Sequence, residues 1–436
     1  MLDGAYRRRL AADLPKWREA GWVTDAGATA IVGSLGEGRP AFGIAAVIGT
    51  MGGLLIGLGV IAFVGANWEE MPRIFRFALL IAAMAVAYVV AGVLESRRLR
   101  IFAEAALLVA GLVFAAAIAL VGQSYHLSGA YAGAIMLWLV GVFAAAALTA
   151  SPTLAVVGLV GSGYWTWLAT WDLGAAPHWA GLVPVLVGGA IATLLDSRNA
   201  RILSVLALGF WIALAVISTA DMRNWSYVGT VAFGVSIALA LWALGALLAS
   251  FADRRIAGLG HALLWPSLLG LMVLGGGEKW TPNQSLNEPV LMLLALGSLV
   301  VAAVLTLVAV FRRSLSVVDI AAVVLIGAAA ILFALNVPDD TLLSRLWSGG
   351  IVIVAALWAV NLGQSGVLDV GKSTGLAFLG LEVIYLYAFT LGTLINTAVA
   401  FLLGGVLFIG LAWGLFRLDR YLAARAAAKA SAGATP

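Results

Sequence analysis

The sequence predicts an all-α polytopic membrane bundle of about 14 spans with both termini cytoplasmic, each span needing roughly 20 apolar residues. Three observations predict it. First, 63% of the 436 residues are hydrophobic and 11% are charged. A soluble domain carries about 25% charged residues to cover its surface. Second, the mean hydropathy is +1.06, too high for one water-facing globule, because lipid alone removes the need for a polar skin. Third, the apolar runs are divided by short separators whose basic residues alternate between rich and poor.

The chain begins with a polar segment, 1–42. Leu2, Tyr6, Leu10, Leu14 and Trp17 recur at helical spacing, and Arg7, Arg8, Arg9, Lys16 and Arg18 lie elsewhere on the helix. Pro15 breaks that helix or starts a second one. Thr24 or Asp25 is positioned to cap a further short helix through Leu35. The mixed character before Phe42 is unlike a cleavable signal peptide. A basic amphipathic helix here rests on an anionic leaflet or docks on a cytosolic partner.

The apolar windows then run Gly43–Ala66, Arg73–Leu94, Phe102–Gly122, Tyr131–Leu148, Pro152–Thr170, Trp179–Leu195 and Ile202–Thr219. They continue Tyr227–Ser250, Ile256–Leu274, Pro289–Phe311, Val317–Leu335, Leu346–Leu362, Gly371–Thr390 and Gly392–Phe416. Taken in turn, one set of separators holds Arg97, Arg98, Arg100, Arg198, Arg201, Arg254, Arg255, Arg312, Arg313 and Lys372. The tail, 417–436, adds Arg417, Arg420, Arg425 and Lys429 and frays in small residues. The opposite set offers Arg73, Arg76, Arg223, Lys279 and Arg345. The positive-inside rule therefore places both termini in the cytoplasm. Trp68, Trp167, Trp171, Trp179, Trp225, Trp280 and Trp347 fall at outer ends. They form an interfacial belt or a stacking surface for a sugar or lipid headgroup.

Composition excludes several functions. With no cysteine there is no disulfide and no thiolate metal site. Three histidines and few intramembrane acids predict neither a metal centre nor another cofactor. The net charge of +4 is scattered over short loops, which is not a nucleic-acid footprint. Gly366-Val-Leu-Asp-Val-Gly371-Lys372-Ser373 matches a phosphate-binding loop formally, but it joins two apolar windows, so no nucleotide is expected. Lys372 reads instead as a topology determinant.

Two groups of polar residues stand out. Asn67, Trp68 and Glu69 end the first window, and Gln123, Tyr125 and His126 end the third. Both ends lie on the outer face, where such groups bind a headgroup, an ion or a partner, or simply cap helices. Glu69 with His126 is also the pair that acid–base chemistry would use. Glu104 and Glu382 are the acids deepest within windows. Glu104 follows Arg100 by one turn, which favours a local ion pair or snorkelling. Glu382 lies nearer mid-span and is the stronger candidate for proton or cation handling. Asn361 and Asn396 suit interhelical hydrogen bonds. A faint echo of Leu55-Ile-Gly57…Ile61…Phe63 in Leu325-Ile-Gly327…Ile331…Phe333 hints at duplication.

Three stretches resemble a known family. They are Leu14 through Asp25, Gly57 through Arg76 with its Asn67-Trp68-Glu69-Glu70-Met71-Pro72 centre, and Glu104 through Gly129 with Gly122-Gln-Ser-Tyr-His126. Over roughly residues 14–130 the chain is similar to the DUF2157 family of bacterial polytopic membrane proteins. The resemblance divides the chain into a DUF2157-like membrane region, 43–150, and a remaining bundle, 151–416. It implies a membrane fold and names no activity. The expected role is to bind or translocate an apolar or amphiphilic envelope component. A non-catalytic scaffold with a membrane protein partner is the alternative. A transferase using a lipid-linked donor is the third reading.

Overall fold

Lipid offers no partner for a backbone N–H or C=O, so each crossing segment must satisfy its own hydrogen bonds as a helix. The computed structural model describes residues 10, 13–15, 17–34, 52, 55, 59, 72–124, 131–172, 178–277, 289–312, 314–335 and 341–391. These residues are all-helical, without strands. The helices are α1 (Asp25–Ser34), α2 (Arg73–Ser96), α3 (Arg100–Ser124), α4 (Tyr131–Leu148), α5 (Pro152–Asp172) and α6 (Leu182–Leu194). Then come α7 (Arg198–Arg223), α8 (Tyr227–Ala249), α9 (Arg254–Gly277), α10 (Pro289–Phe311), α11 (Val317–Leu335), α12 (Thr341–Gln364) and α13 (Gly371–Leu391).

The second to thirteenth windows each coincide with helix; the first, apart from residues 52, 55 and 59, and the fourteenth lie outside the described residues. Nine described helices are long and apolar enough to cross a membrane: α2, α3, α4 and α7 to α12. Helix α5 is not among them, because Ser162, Tyr164, Thr166 and Thr170 dilute its second half. The sixth window resolves into a single 3-10 turn, Trp179–Gly181, followed by the thirteen-residue α6.

Helix ends are set by short polar side chains. Ser197 accepts from the Ala200 N–H and Ser226 from the Gly229 N–H, each relieving one orphan donor of a first turn. Asp253 accepts from the N–H groups of Arg255 and Ile256 at 2.8 and 3.0 Å. Those bonds hold the exposed Asp253 carboxyl below its ordinary pKa. At α11 the pairing is reciprocal: the Asp319 N–H donates to Ser316 Oγ, and the Ser316 N–H donates to Asp319 Oδ2. That is a capping box.

The chain divides into two compact units, 1–127 and 128–436. In the first, Thr24 Oγ1 caps α1 by accepting from the Gly27 N–H. Leu10 and Leu14 are buried against Ala28, with Trp17, Val23 and Ile31 around them. Of the apolar stripe read from the N-terminal segment, Leu10, Leu14 and Trp17 pack on α1, and Leu2 and Tyr6 lie outside the described residues. The turn between them needs Gly21, whose φ is +72°. Elsewhere in this unit α2 and α3 pair through Leu80, Ala87, Val109, Ala110 and Val113.

In the second unit α8 lies at the centre of the main apolar cluster, with α9, α10, α11 and α12 around it. Lipid tails are as apolar as leucine, so burial in this bundle depends on close packing rather than on escape from water. Gly260 of α9 supplies it: a Cβ there would lie 2.2 Å from Ala249 N and 2.6 Å from Gly245 O. Gly375 does the same for α13, where a Cβ would meet Ala356 O at 2.4 Å. Helices α8–α9 and α12–α13 therefore touch backbone to backbone.

Candidate functional site

The residues with chemical potential in the second unit fall at two levels. At the end carrying the α7, α9, α11 and α13 N-termini, two polar networks tie the helices together. Asp196, at φ +51°, accepts from Arg201 at 2.8 Å and from Arg254 at 3.0 Å. Arg198 reaches Asp369 at 3.1 Å. Arg201 is 7% exposed. Its guanidinium lies flat on Gly258, where a Cβ would be 2.7–2.8 Å from Cζ, Nη1 and Nη2.

The second network is centred on Asp319, which is 5% exposed. Its Oδ2 accepts from the Ser316 hydroxyl at 2.7 Å as well as from the Ser316 N–H, and its Oδ1 accepts from the Trp358 indole at 2.8 Å. The Trp358 ring meets that of Trp242 with centroids 4.2 Å apart. Nearby helices are joined in the same way by the Trp265 indole, which donates to Thr374 Oγ1 at 3.2 Å. The Asp319–Trp358 and Trp265–Thr374 bonds serve as interhelical locks.

Deeper in the bundle lies Glu382 of α13, 3% exposed. It follows Gly371 by eleven residues. At ~1.5 Å per residue that is ~16 Å along the helix, about half the ~30 Å hydrocarbon thickness. Its carboxyl occupies the space that a side chain at Gly349 of α12 would fill: a Cβ there would be 2.6 Å from Oε1. One turn above Gly349 is Arg345, whose carbonyl accepts from the fully buried Ser348 hydroxyl at 3.1 Å. Tyr385, one turn after Glu382, is within electrostatic reach of both Arg345 and Glu382. The α12–α13 pair thus puts a buried acid and a phenol one turn apart on α13, with Arg345 in the second turn of α12 within electrostatic reach of the phenol. Such a set can hold a proton or a small polar headgroup in an otherwise apolar interior.

The other expected residues are placed as follows. Glu104 is half-buried in the second turn of α3. Gln123 lies in the last turn of α3, while Asn67, Trp68, Glu69, Tyr125 and His126 fall outside the described residues, as do Asn396, Trp280 and the 417–436 tail. Asn361 is half-buried near the end of α12. Of the belt tryptophans, Trp167, Trp171 and Trp179 are exposed, and Trp347 donates its indole N–H to Ala329 O at 3.1 Å. Behind that rim are residues that spacing did not single out: Trp165 packs edge-on to His178, and Trp211 donates to the His178 carbonyl at 3.0 Å. Gly366–Ser373 forms the α12–α13 turn and the start of α13, with no strand before it, so the phosphate-loop pattern has no phosphate-loop structure.

Asp319, Arg345 and Tyr385 were not read as site residues from the sequence. A signal for Asp319 was present, since Ser-x-x-Asp ahead of an apolar run marks a capping box. Arg345 and Tyr385 acquire meaning only from the pairing of α12 with α13. Among the described residues no group of three or more His, Asp or Glu side chains could hold a metal ion.

No curated protein and no solved structure matches the chain. Residues 15–155, from ahead of α1 to the first turn of α5, match the family model DUF2157, described as predicted membrane protein, so this stretch is similar to that family and the chain is a membrane protein with DUF2157-type sequence at its N-terminal end.

Proposed function

We propose that the protein binds or translocates an apolar or amphiphilic component of the bacterial envelope, with Glu382 as the group that takes or gives a proton during binding. The single observation that carries this reading is the buried Glu382 carboxyl, half-way along α13, packed on Gly349 and one turn from Tyr385. An ionisable group at that depth is costly and is retained where it does work. The polar run Asn67, Trp68, Glu69, Gln123, Tyr125 and His126 is the second place where a headgroup would be met. In the third reading, the lipid-linked transferase, Glu69 and His126 would be the working pair. The scaffold reading draws on the Asp319 and Asp196 networks, which tie helices of the bundle to one another.

The test uses proteoliposomes containing the full chain and a trapped pH-sensitive dye, with an envelope lipid extract added outside. Wild type should show extract-dependent proton movement. Glu382→Gln should lower it at least tenfold, a loss of about 1.4 kcal/mol in the coupled step. The Glu69→Ala/His126→Ala pair should weaken the response to the extract without removing proton movement. Equal signals from wild type and Glu382→Gln would remove the carboxyl from any such role.

The proposed topology has fourteen spans in the inner membrane and cytoplasmic termini. The absence of cysteine makes it directly measurable, because any introduced thiol is the only one. Ser285→Cys should react with an impermeant maleimide on intact cells. Ser314→Cys and Ser431→Cys should react only after permeabilisation. Labelling of Ser314→Cys from outside would invert the orientation.

A further inference from the structure

Helices α10 and α11 leave a groove of about 350 Å³ between them, away from the α12–α13 carboxylate. Leu299, Ala303, Thr306 and Val310 form one wall, with Ile320 and Gly327 on the other. The lining is apolar. Thr306 turns its hydroxyl to Ala302 O at 2.7 Å, which leaves a methyl for the groove. Gly327 keeps the floor low, and Leu299 is the neighbour that a Cβ there would crowd, at 3.0 Å.

The groove has a definite length and a charged end. From Leu299 to Val310 is eleven residues, ~16 Å along α10, which is one leaflet of a ~30 Å hydrocarbon core. Below Val310 and Ile320 lie Arg312 and, ahead of α11, residues 314–316. Arg198, Arg201 and Arg254 at this end of the bundle each reach an aspartate. Arg312 is different: among the described residues its guanidinium is held over the Phe251 ring, 4.2 Å from the centroid, and makes no ion pair. An exposed, positioned cation at the end of a leaflet-deep apolar groove complements an anionic amphiphile.

We propose that this groove retains one anionic phospholipid from the leaflet at the Arg312 end, an acyl chain lying between α10 and α11 and the phosphate group at Arg312. The site is independent of the role given to Glu382, because neither its lining nor its charged end includes α12 or α13. Two further apolar grooves among the described residues lie between α4 and α6 and between α11 and α12. The latter closes on Trp347, whose indole is already bonded to Ala329 O.

The experiment is native mass spectrometry of the full chain released from detergent, after delipidation and addition of phosphatidylglycerol or of phosphatidylcholine with the same acyl chains. Wild type should keep one phosphatidylglycerol with about fivefold preference, the effect of one basic group near an anionic lipid. Arg312→Gln should abolish the preference while leaving weak binding of both lipids. Ala303→Trp, which fills the groove, should remove the retained lipid. Should that variant not give a folded bundle, Leu307→Trp takes its place, since Leu307 lines the groove and is 56% exposed. Equal retention of the two lipids by wild type overturns the proposal. So does retention that survives the groove-filling variant. A dimer of wild type that the tryptophan splits, with lipid retention unchanged, would assign the groove to a second copy of the chain and overturn it too.

Discussion

Asp319→Leu will lower the stability of the bundle by about 3 kcal/mol, measured as the midpoint of unfolding in a denaturing detergent titration. Two considerations set the size. A single interhelical hydrogen bond in a membrane protein averages only ~0.6 kcal/mol, with a maximum near 1.7. Asp319, however, accepts three bonds, one from Trp358 across to α12 and two from Ser316. Removing the acceptor strands a buried indole N–H and undoes the α11 cap, and each abandoned buried donor costs about 1–3 kcal/mol. Asp319→Asn keeps an acceptor oxygen for Trp358 and should lose about half as much. Trp358→Phe alone should cost about 1 kcal/mol from its lost bond. The double variant Asp319→Leu/Trp358→Phe should then be more stable than the sum of the single losses by at least 1 kcal/mol, because the orphaned N–H is gone. Simple additivity, within ~0.5 kcal/mol, would show that the two side chains do not act as a unit.

Gly260→Leu should be still more damaging and should yield no monodisperse protein in mild detergent. Overpacking of a tight interior costs ~1–3 kcal/mol when side chains can give way. Here the obstacles are the backbone of Ala249 and the carbonyl of Gly245, which yield only if α8 and α9 separate. Even Gly260→Ala should lower the unfolding midpoint clearly. The control is Gly209 in α7, where a Cβ would meet nothing within 4 Å. Gly209→Ala should be neutral or slightly stabilising, by up to ~1 kcal/mol from helix propensity. A Gly260→Ala variant as stable as wild type would mean that the α8–α9 contact is looser than backbone touching backbone.

Hydropathy was enough to find the helices, because the apolar length of each span is fixed by the lipid and not by its neighbours. It placed α2 to α13 close to their observed positions and picked out Glu382 as an acid deep in a span. It erred in kind over Arg201. Beside Arg198 it reads as a loop charge, yet Asp196 on one side and Gly258 on the other let it end nearly buried. The Asp196 partner was five residues away and visible; the space at Gly258 was not, since it depends on how α7 meets α9. Glycine shows the same limit. The stretches Gly49–Gly53 and Gly57–Gly59 are rich in glycine, but the closest helix approaches among the described residues are at Gly260, Gly363 and Gly375. Composition gives the supply of small residues, and only the pairing of helices tells which of them face a neighbour. Arg345, Tyr385 and Glu382 come together for the same reason, across the α12–α13 turn.

The clasp at Asp196 bears on the order in which the chain enters the membrane. Asp196 and Arg201 leave the ribosome together, but Arg254 and the glycine surface of α9 follow only after the whole of α8. Until then Arg201 has its Asp196 partner but not the surface that covers it. The burial of a charge carried by α7 is thus completed by a helix made later.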